Sequence, residues 1–325
     1  MTNSLKKRRV NIIRWDNQLG LRRDTEIIAN ILKSAGFEVS IQPFWRPSRR
    51  YSSLNWLSRT TQAKPLYDIN LFLEDILPSW LPFARINCLI PNQEWFRPEA
   101  TAYLGGINWV LCKTKHAEQV FQKLGCQTKW IGFTGCDRFN SSIPRNEWGF
   151  FHLSSSPQKG MNALIQVWQK HPEWPILTIV QNPKYAQSVV APNIHYRAEY
   201  ISDEQLHSYQ NSQSIHLCPS ESEGFGHSII EAMSCQAVVV TTNAPPMNEI
   251  LTPERGVLVD YNRTQKQQLG INYYVDIKHL EEQIQQILEM DSCQKKVLGK
   301  NARDWFLEND KDFRYRFVEI IQNIG

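Results

Sequence analysis

The sequence is short of the features that would assign it quickly to several classes. None of its 325 residues form a run approaching the ~20 apolar positions of a membrane-spanning helix. There is no internal repeat and no low-complexity tract, so solenoid and fibrous architectures are excluded. Seven cysteines (Cys88, Cys112, Cys126, Cys136, Cys218, Cys235 and Cys293) are scattered, odd in number and without a C-x-x-C pair. Neither a disulfide framework nor a zinc site is expected from them, and they read as reduced thiols of a cytosolic protein. No other metal-ligand cluster is visible, so no metal is expected. The basic start (Lys6, Lys7, Arg8, Arg9) is followed by a short apolar run that Arg14 and Asp16 interrupt, which does not read as a signal peptide.

Charge is unevenly placed. Residues 1–150 hold 21 Lys and Arg against 12 Asp and Glu, whereas residues 151–325 hold 15 against 20. Within residues 1–65, 13 basic side chains face 4 acidic ones. Such a face attracts an acidic acceptor, an anionic membrane surface or nucleic acid, or is an ordinary solvated surface. The stretch Trp45-Arg46-Pro47-Ser48-Arg49-Arg50-Tyr51, with Trp56 and Arg59, interleaves cations with aromatics. That composition suits a membrane interface or an anionic or sugar acceptor, and equally a basic loop with its tryptophans turned inward. A cytoplasmic protein, able to sit at the inner face of a membrane, is the expectation.

Short apolar runs alternate with amphipathic helical stretches. Val10 to Ile13, Phe37 to Ile41, Ile69 to Leu73, Ile86 to Ile90 and Trp109 to Cys112 read as strands, and helices end at Gly36 and Gly125. Turn formers from Asp137 to Pro144 suggest a linker. A second series of strands follows at 149–153, 176–180, 194–196, 214–218, 238–241 and 256–259, and the tail from Asp276 is helical. Strands alternating with helices predict parallel sheets, hence an α/β protein of two Rossmann-like doubly wound domains facing across a cleft. The expected boundaries are 1–140, 141–300 and a C-terminal helix, 301–325, packing back on the first domain.

The most informative segment is Pro219-Ser220-Glu221-Ser222-Glu223-Gly224-Phe225-Gly226-His227-Ser228-Ile229-Ile230-Glu231. It leaves a strand and opens a helix. Its glycines allow close backbone approach, and a helix N-terminus offers free N–H groups to a diphosphate. Glu223 and Glu231 lie eight residues apart, the first in the loop and the second about one turn into the helix. Each has a plainer reading. Ser228 to Glu231 is also a capping box, Glu223 a solvated loop acid, Lys159 a turn lysine and His227 a loop residue.

This segment resembles glycosyltransferase family 4, whose mark is an E-x7-E motif around a Gly-Phe-Gly turn. Pro157-Gln158-Lys159-Gly160 is similar to that family's P-x-K-G segment, and Ile201 to Leu206, His216 to Ser220 and Leu124 to Asp137 are similar to its flanks. The resemblance covers roughly residues 105–260. It implies the GT-B fold and a retaining, metal-independent, hexosyltransferase-like enzyme with a nucleotide-sugar donor (UDP-, GDP- or ADP-linked), no other cofactor and no nucleic-acid partner. It implies an N-terminal domain for the acceptor and a C-terminal one for the donor. Glu223 is then expected at the donor sugar hydroxyls, and the backbone of Gly224, Phe225, Gly226, His227 and Ser228 around sugar and diphosphate. Glu231 is expected on the ribose and Lys159 on the diphosphate.

Two positions depart from the family. Where an arginine usually precedes the P-x-K-G lysine, the chain reads Phe151-His152-Leu153-Ser154-Ser155-Ser156. Where a histidine usually follows an N-domain strand, it reads Ile90-Pro91-Asn92-Gln93-Glu94-Trp95, with Asn92 or Glu94 as the stand-in. The first-strand loop keeps one glycine, Gly20. These gaps keep two alternatives open: a weak or inactive GT-B binding protein, and another GT-B enzyme such as a sugar-nucleotide epimerase.

Overall fold

The computed structural model describes residues 7–15, 19–44 and 65–324. The aromatic and basic stretch around Trp45 to Arg59 lies outside them. Two compact units divide the chain. One comprises residues up to Phe133 together with those from Lys311 onward, and the other runs from Thr134 to Asp310.

In the first unit, β1 (Arg9–Trp15), β2 (Glu38–Phe44), β3 (Tyr67–Leu73), β4 (Ala84–Ile90), β5 (Trp109–Cys112) and β6 (Thr128–Trp130) form one sheet, ordered β2-β1-β3-β4-β5-β6. Every pairing in it is parallel. The continuous apolar runs of β1, β3 and β4 are what a sheet covered on both faces requires, and Ile12, Ile13, Leu71, Phe72 and Leu89 are fully buried. Helices α1 (Leu19–Ser34) and α2 (Lys115–Lys123) belong to this unit. Three buried asparagines interrupt the apolar pattern in register. Asn11 donates to Asn70 Oδ1 at 3.0 Å and Asn70 donates to Asn87 Oδ1 at 2.9 Å, so a chain of amides links three adjacent strands.

The second unit has its own parallel sheet of six strands. These are β7 (Asn146–Ser154), β8 (Leu177–Gln181), β9 (Ile194–Ala198), β10 (Gln213–Cys218), β11 (Val238–Thr242) and β12 (Val257–Val259), in the order β12-β11-β10-β7-β8-β9. Helices α3 (Met161–Lys170), α4 (Asp203–Ser212), α5 (His227–Ser234) and α6 (Met247–Ile250) fall between the strands. A hairpin of β13 (Tyr261–Gln267) and β14 (Gly270–Val275), then α7 (Ile277–Glu289) and α8 (Ser292–Asn323), complete the chain. Leu164, Val167 and Trp168 of α3 and Leu280, Ile284 and Ile287 of α7 join the strands in one core; Phe151, Val180 and Leu206 form a smaller one.

Both sheets bear out the α/β expectation of two Rossmann-like folds. The order of the second reverses between β7 and β10, which makes the carboxyl ends of those two strands its switch point, where open α/β sheets bind ligands. The β13–β14 hairpin has no counterpart in the sequence reading. All but the last residue of β13 is exposed and so shows no alternation, and the two-residue turn begins with Gln268 at φ 50° rather than with glycine or asparagine. No helix among the described residues is long and apolar enough to cross a membrane. Cys88, Cys112, Cys218 and Cys235 are buried free thiols, while Cys136 and Cys293 are exposed.

Candidate active site at the carboxyl edge of the second sheet

Two turns meet at the switch point. The one after β7 is a single 3-10 turn, Pro157–Lys159, closed by Gly160 in the left-handed region at φ 73°. Gly160 is required there twice over, because a Cβ would also fall 2.0 Å from the carbonyl oxygen of Pro219. The turn after β10 runs from Pro219 to Gly226, whose φ of 112° starts α5 without a side-chain cap. The two are tied by Glu221 N–H donating to Gln158 O at 2.8 Å, and the second is tied to β14 by Tyr273 N–H donating to Glu221 O at 2.7 Å.

This packing brings Lys159 and Glu223 together. Lys159 Nζ donates to Glu223 Oε1 at 2.5 Å, and Ser220 Oγ donates to the same oxygen at 2.7 Å. The two charged side chains are only 13% and 9% exposed, so Glu223 is not a solvated loop acid. Ser220 is itself held, since Thr242 Oγ donates to its carbonyl at 2.6 Å. Phe225 is buried, as are Gly224 and Gly226.

Glu231 is the fifth residue of α5 and 1% exposed. The capping-box reading fails for it. The helix starts one residue before Ser228, with Gly226 as its N-cap, so Ser228 occupies a helical position rather than the cap. Instead Gln210 of α4 donates to Glu231 Oε2 at 2.8 Å, and Arg138 donates to Gln210 Oε1 at 2.8 Å and to Asp203 Oδ2 at 2.8 Å. The sequence reading missed Gln210 and Arg138. The visible signal was the Ser202–Gln205 capping box, which fixes α4 and hence the face that presents Gln210. Where an arginine is usual before Lys159, His152 is buried and hydrogen-bonds the carbonyl of Leu217 at 2.7 Å, while Ser154 is buried and Ser155 exposed.

A cavity of about 600 Å³ opens beside the two turns, and its wall includes Pro157, Gly160, Pro219, Glu221, Arg263 and Tyr274 but neither Lys159 nor Glu223. The Arg263 guanidinium lies 3.5 Å from the centroid of the Tyr274 ring. Burial pushes the Glu221 carboxyl up to about 7, with Arg263 opposing the shift.

The remaining predicted residues lie in the first unit. Gly20 is not a loop glycine: it is the second residue of α1, exposed and with no neighbour crowding it. Glu94 is 4% exposed in the turn after β4. Asn92 joins Glu74 and Lys113, donating to Glu74 Oε2 at 3.1 Å and accepting from Lys113 Nζ at 3.0 Å, and Lys113 also pairs with Asp24. Glu74 adopts a left-handed φ of 70° and is buried, which raises its carboxyl above the usual range. No group of three or more His, Cys, Asp or Glu able to hold a metal ion occurs among the described residues.

Over 98% of its length the chain is similar to 99% of a sucrose-phosphate synthase from Thermosynechococcus elongatus, with a TM-score of 0.75 at 15% identity. A glycosyltransferase from Rickettsia africae follows over 98% of this chain and 100% of its own, with a TM-score of 0.74 and 15% identity. An E. coli trehalose-6-phosphate structure bound with UDP-2-fluoro glucose gives 0.69 at 11% identity, over 98% and 99% of the two chains. These likenesses establish the GT-B fold. In sequence, an uncharacterized glycosyltransferase 335 of Sulfolobus islandicus rod-shaped virus 1 is 22% identical over 118 residues, which span 34% of this chain and 35% of that relative. Residues 154–305, the stretch that carries Lys159, Glu223 and Glu231, match the family model described as glycosyl transferases group 1.

Proposed function

We propose that the chain is a retaining glycosyltransferase of the family 4 type, moving a hexose from a nucleoside-diphosphate sugar to an acceptor without a metal. One observation carries the reading. Lys159 and Glu223 come from the turns after two neighbouring strands, yet meet at the switch point, inside the stretch that matches the group 1 family.

The roles follow from charge and position. Lys159 is the cation that faces a diphosphate, whose negative charge grows as the glycosidic bond breaks. A fixed donor aimed at developing charge is worth roughly 3–4 kcal/mol in turnover. The backbone N–H groups at the start of α5, from Gly224 to Ser228, add the helix's partial positive charge on the same side. Glu223, oriented by Ser220, accepts from sugar hydroxyls. Glu231, oriented by Gln210, accepts from the ribose. In a retaining transfer of this kind the departing phosphate oxygen takes the acceptor's proton on the face it leaves. The acceptor belongs to the first unit, where the basic N-terminal stretch favours an acidic or membrane-associated molecule.

The test is incubation of the pure protein with UDP-, GDP- and ADP-sugars while free nucleotide is followed, for wild type and Lys159→Ala. Release by wild type and its loss in the variant support the reading. Nucleotide binding without release in any combination would instead favour a binding protein, in line with the uncharged Ser154 to Ser156 stretch. Absence of both would overturn the assignment of the site.

A further inference from the structure

The opposite, amino-terminal edge of the second sheet holds a separate cavity of about 450 Å³. It lies where β7, β10 and β11 begin, and is closed by the first turn of α8. Its wall carries three cations, Arg145, Lys295 and Lys296, and one carboxylate, Glu147. Glu147 is already engaged, accepting from Ser292 Oγ at 2.7 Å and facing Lys296 Nζ at 3.8 Å.

Lys295 is the anomaly. It is 7% exposed, and among the described residues its ammonium has neither a hydrogen-bond acceptor nor an ion-pair partner; it rests 3.3 Å from the centroid of the Trp148 ring. Arg145 spends its two terminal nitrogens on the carbonyls of Cys235 and Gln236, and among the described residues no carboxylate pairs with it. Burial lowers the basicity of both groups. Ser214, also in the wall, is a further buried donor whose hydroxyl has no partner among the described residues. Glu147 and Asp291 act on Lys295 through space without pairing with its ammonium, and an anion in the cavity would meet both partly buried cations directly. The same wall offers Phe139, Ile143 and Val238 to an apolar body.

We propose that this cavity binds a small organic anion, a phosphate monoester or carboxylate on a partly apolar body, with Lys295 and Arg145 as its counter-charges. The site stands apart from the Lys159–Glu223 turns, at the other end of the same strands, and does not depend on the glycosyl-transfer reading.

Pyridoxal 5′-phosphate is a suitable probe because it combines a phosphate with an aldehyde. A neutral lysine amine condenses with the aldehyde, releasing water, and borohydride adds hydride to the resulting imine. Peptide mapping after a short exposure should find the label on Lys295 ahead of exposed lysines such as Lys278. Inorganic phosphate should protect it, whereas UDP should not. Calorimetric titration of inorganic phosphate into wild type and Lys295→Met should show binding weakened about tenfold or more in the variant. A thermal melt of the variant confirms that it is folded. If Lys295→Met fails to fold, the labelling of wild type, with and without phosphate, decides alone. Label spread evenly over exposed lysines without protection, or equal phosphate affinity in a folded Lys295→Met, would overturn the proposal.

Discussion

Replacing Lys159 should cost stability as well as activity, and the structure sets how much. In Lys159→Met the stem is kept and the charge is lost, so Glu223 keeps its buried position and the Ser220 bond but not the cation beside it. A hydrogen bond between charged groups is worth ~1.5–3 kcal/mol, and breaking a fully buried pair from one side costs ~3–5 kcal/mol. With side chains 13% and 9% exposed, the pair lies close to the buried limit. A loss of about 2–4 kcal/mol is therefore expected in the second unit. Glu223→Gln removes the opposing charge, so the double variant should be less destabilised than the sum of the single ones by about 1–3 kcal/mol. Two units in one chain make a global melt ambiguous. Hydrogen exchange of the β10 amides, read by mass spectrometry, reports opening of the second unit alone. Turnover should fall by roughly 10²–10³ in the same variant. Additive losses, or a Lys159→Met protein as stable as wild type, would show that the two groups do not sense each other in solution.

Three further outcomes are expected. Glu231→Gln keeps an acceptor for the Gln210 amide, so its melting temperature should stay near wild type while calorimetric nucleotide affinity falls roughly tenfold, equivalent to ~1.4 kcal/mol; unchanged affinity would remove Glu231 from the donor site. Gly160→Ala combines a left-handed φ, at ~1–2 kcal/mol, with a Cβ overlapping Pro219 O, for about 2–5 kcal/mol in urea unfolding, whereas Gly125→Ala, with a similar φ and nothing within 4 Å, should lose only the first part; equal losses would refute the steric argument. Burial pushes His152 and His216 down to about 4, so the unfolded chain binds more protons than the folded one between pH 6.5 and 4. Stability from these residues is complete above pH 6.5 and falls with acidification by up to ~1.4 kcal/mol per pH unit for each histidine. A His216→Gln variant should flatten that slope in pH-dependent exchange, and an unaltered slope would mean that other groups govern it.

Most strands of the two sheets were legible because parallel strands covered on both faces read as apolar runs, and Trp109–Cys112 is a strand over the residues expected, whereas the three-residue β6 (Thr128–Trp130), with no fully buried position, was not read. The helix that carries Glu231 was legible in position but not in its start. Side-chain chemistry suggested Ser228 as cap, whereas the left-handed Gly226 begins the helix, and only the backbone reveals that. The near contact of Lys159 with Glu223 was not legible either. Sixty-four positions separate them, and the adjacency of their turns follows from strand order, which no local pattern encodes. Gln210 and Arg138 were hidden for the same reason, since their link to Glu231 joins α4, a linker and α5. In the first unit, Gly20 looked like a loop glycine because the sequence places a turn-forming stretch beside it, yet the helix has already begun there.

The helix α8 has a consequence for how the protein is made. Its residues up to Asp310 belong to the second unit, and those from Lys311 to the first. In that last part Phe313, Phe317 and Ile321 are fully buried, Phe313 lies against Phe133, and Arg316 donates to the carbonyl of Ile131. Arg8, ahead of the first strand, donates to the carbonyls of Ile321, Gln322 and Ile324. The first unit is thus sewn from both ends of the chain. On the ribosome the second unit has all of its residues in one continuous stretch and is free to fold as that stretch emerges. The first, although synthesised earlier, completes its core only when the final turns of α8 arrive.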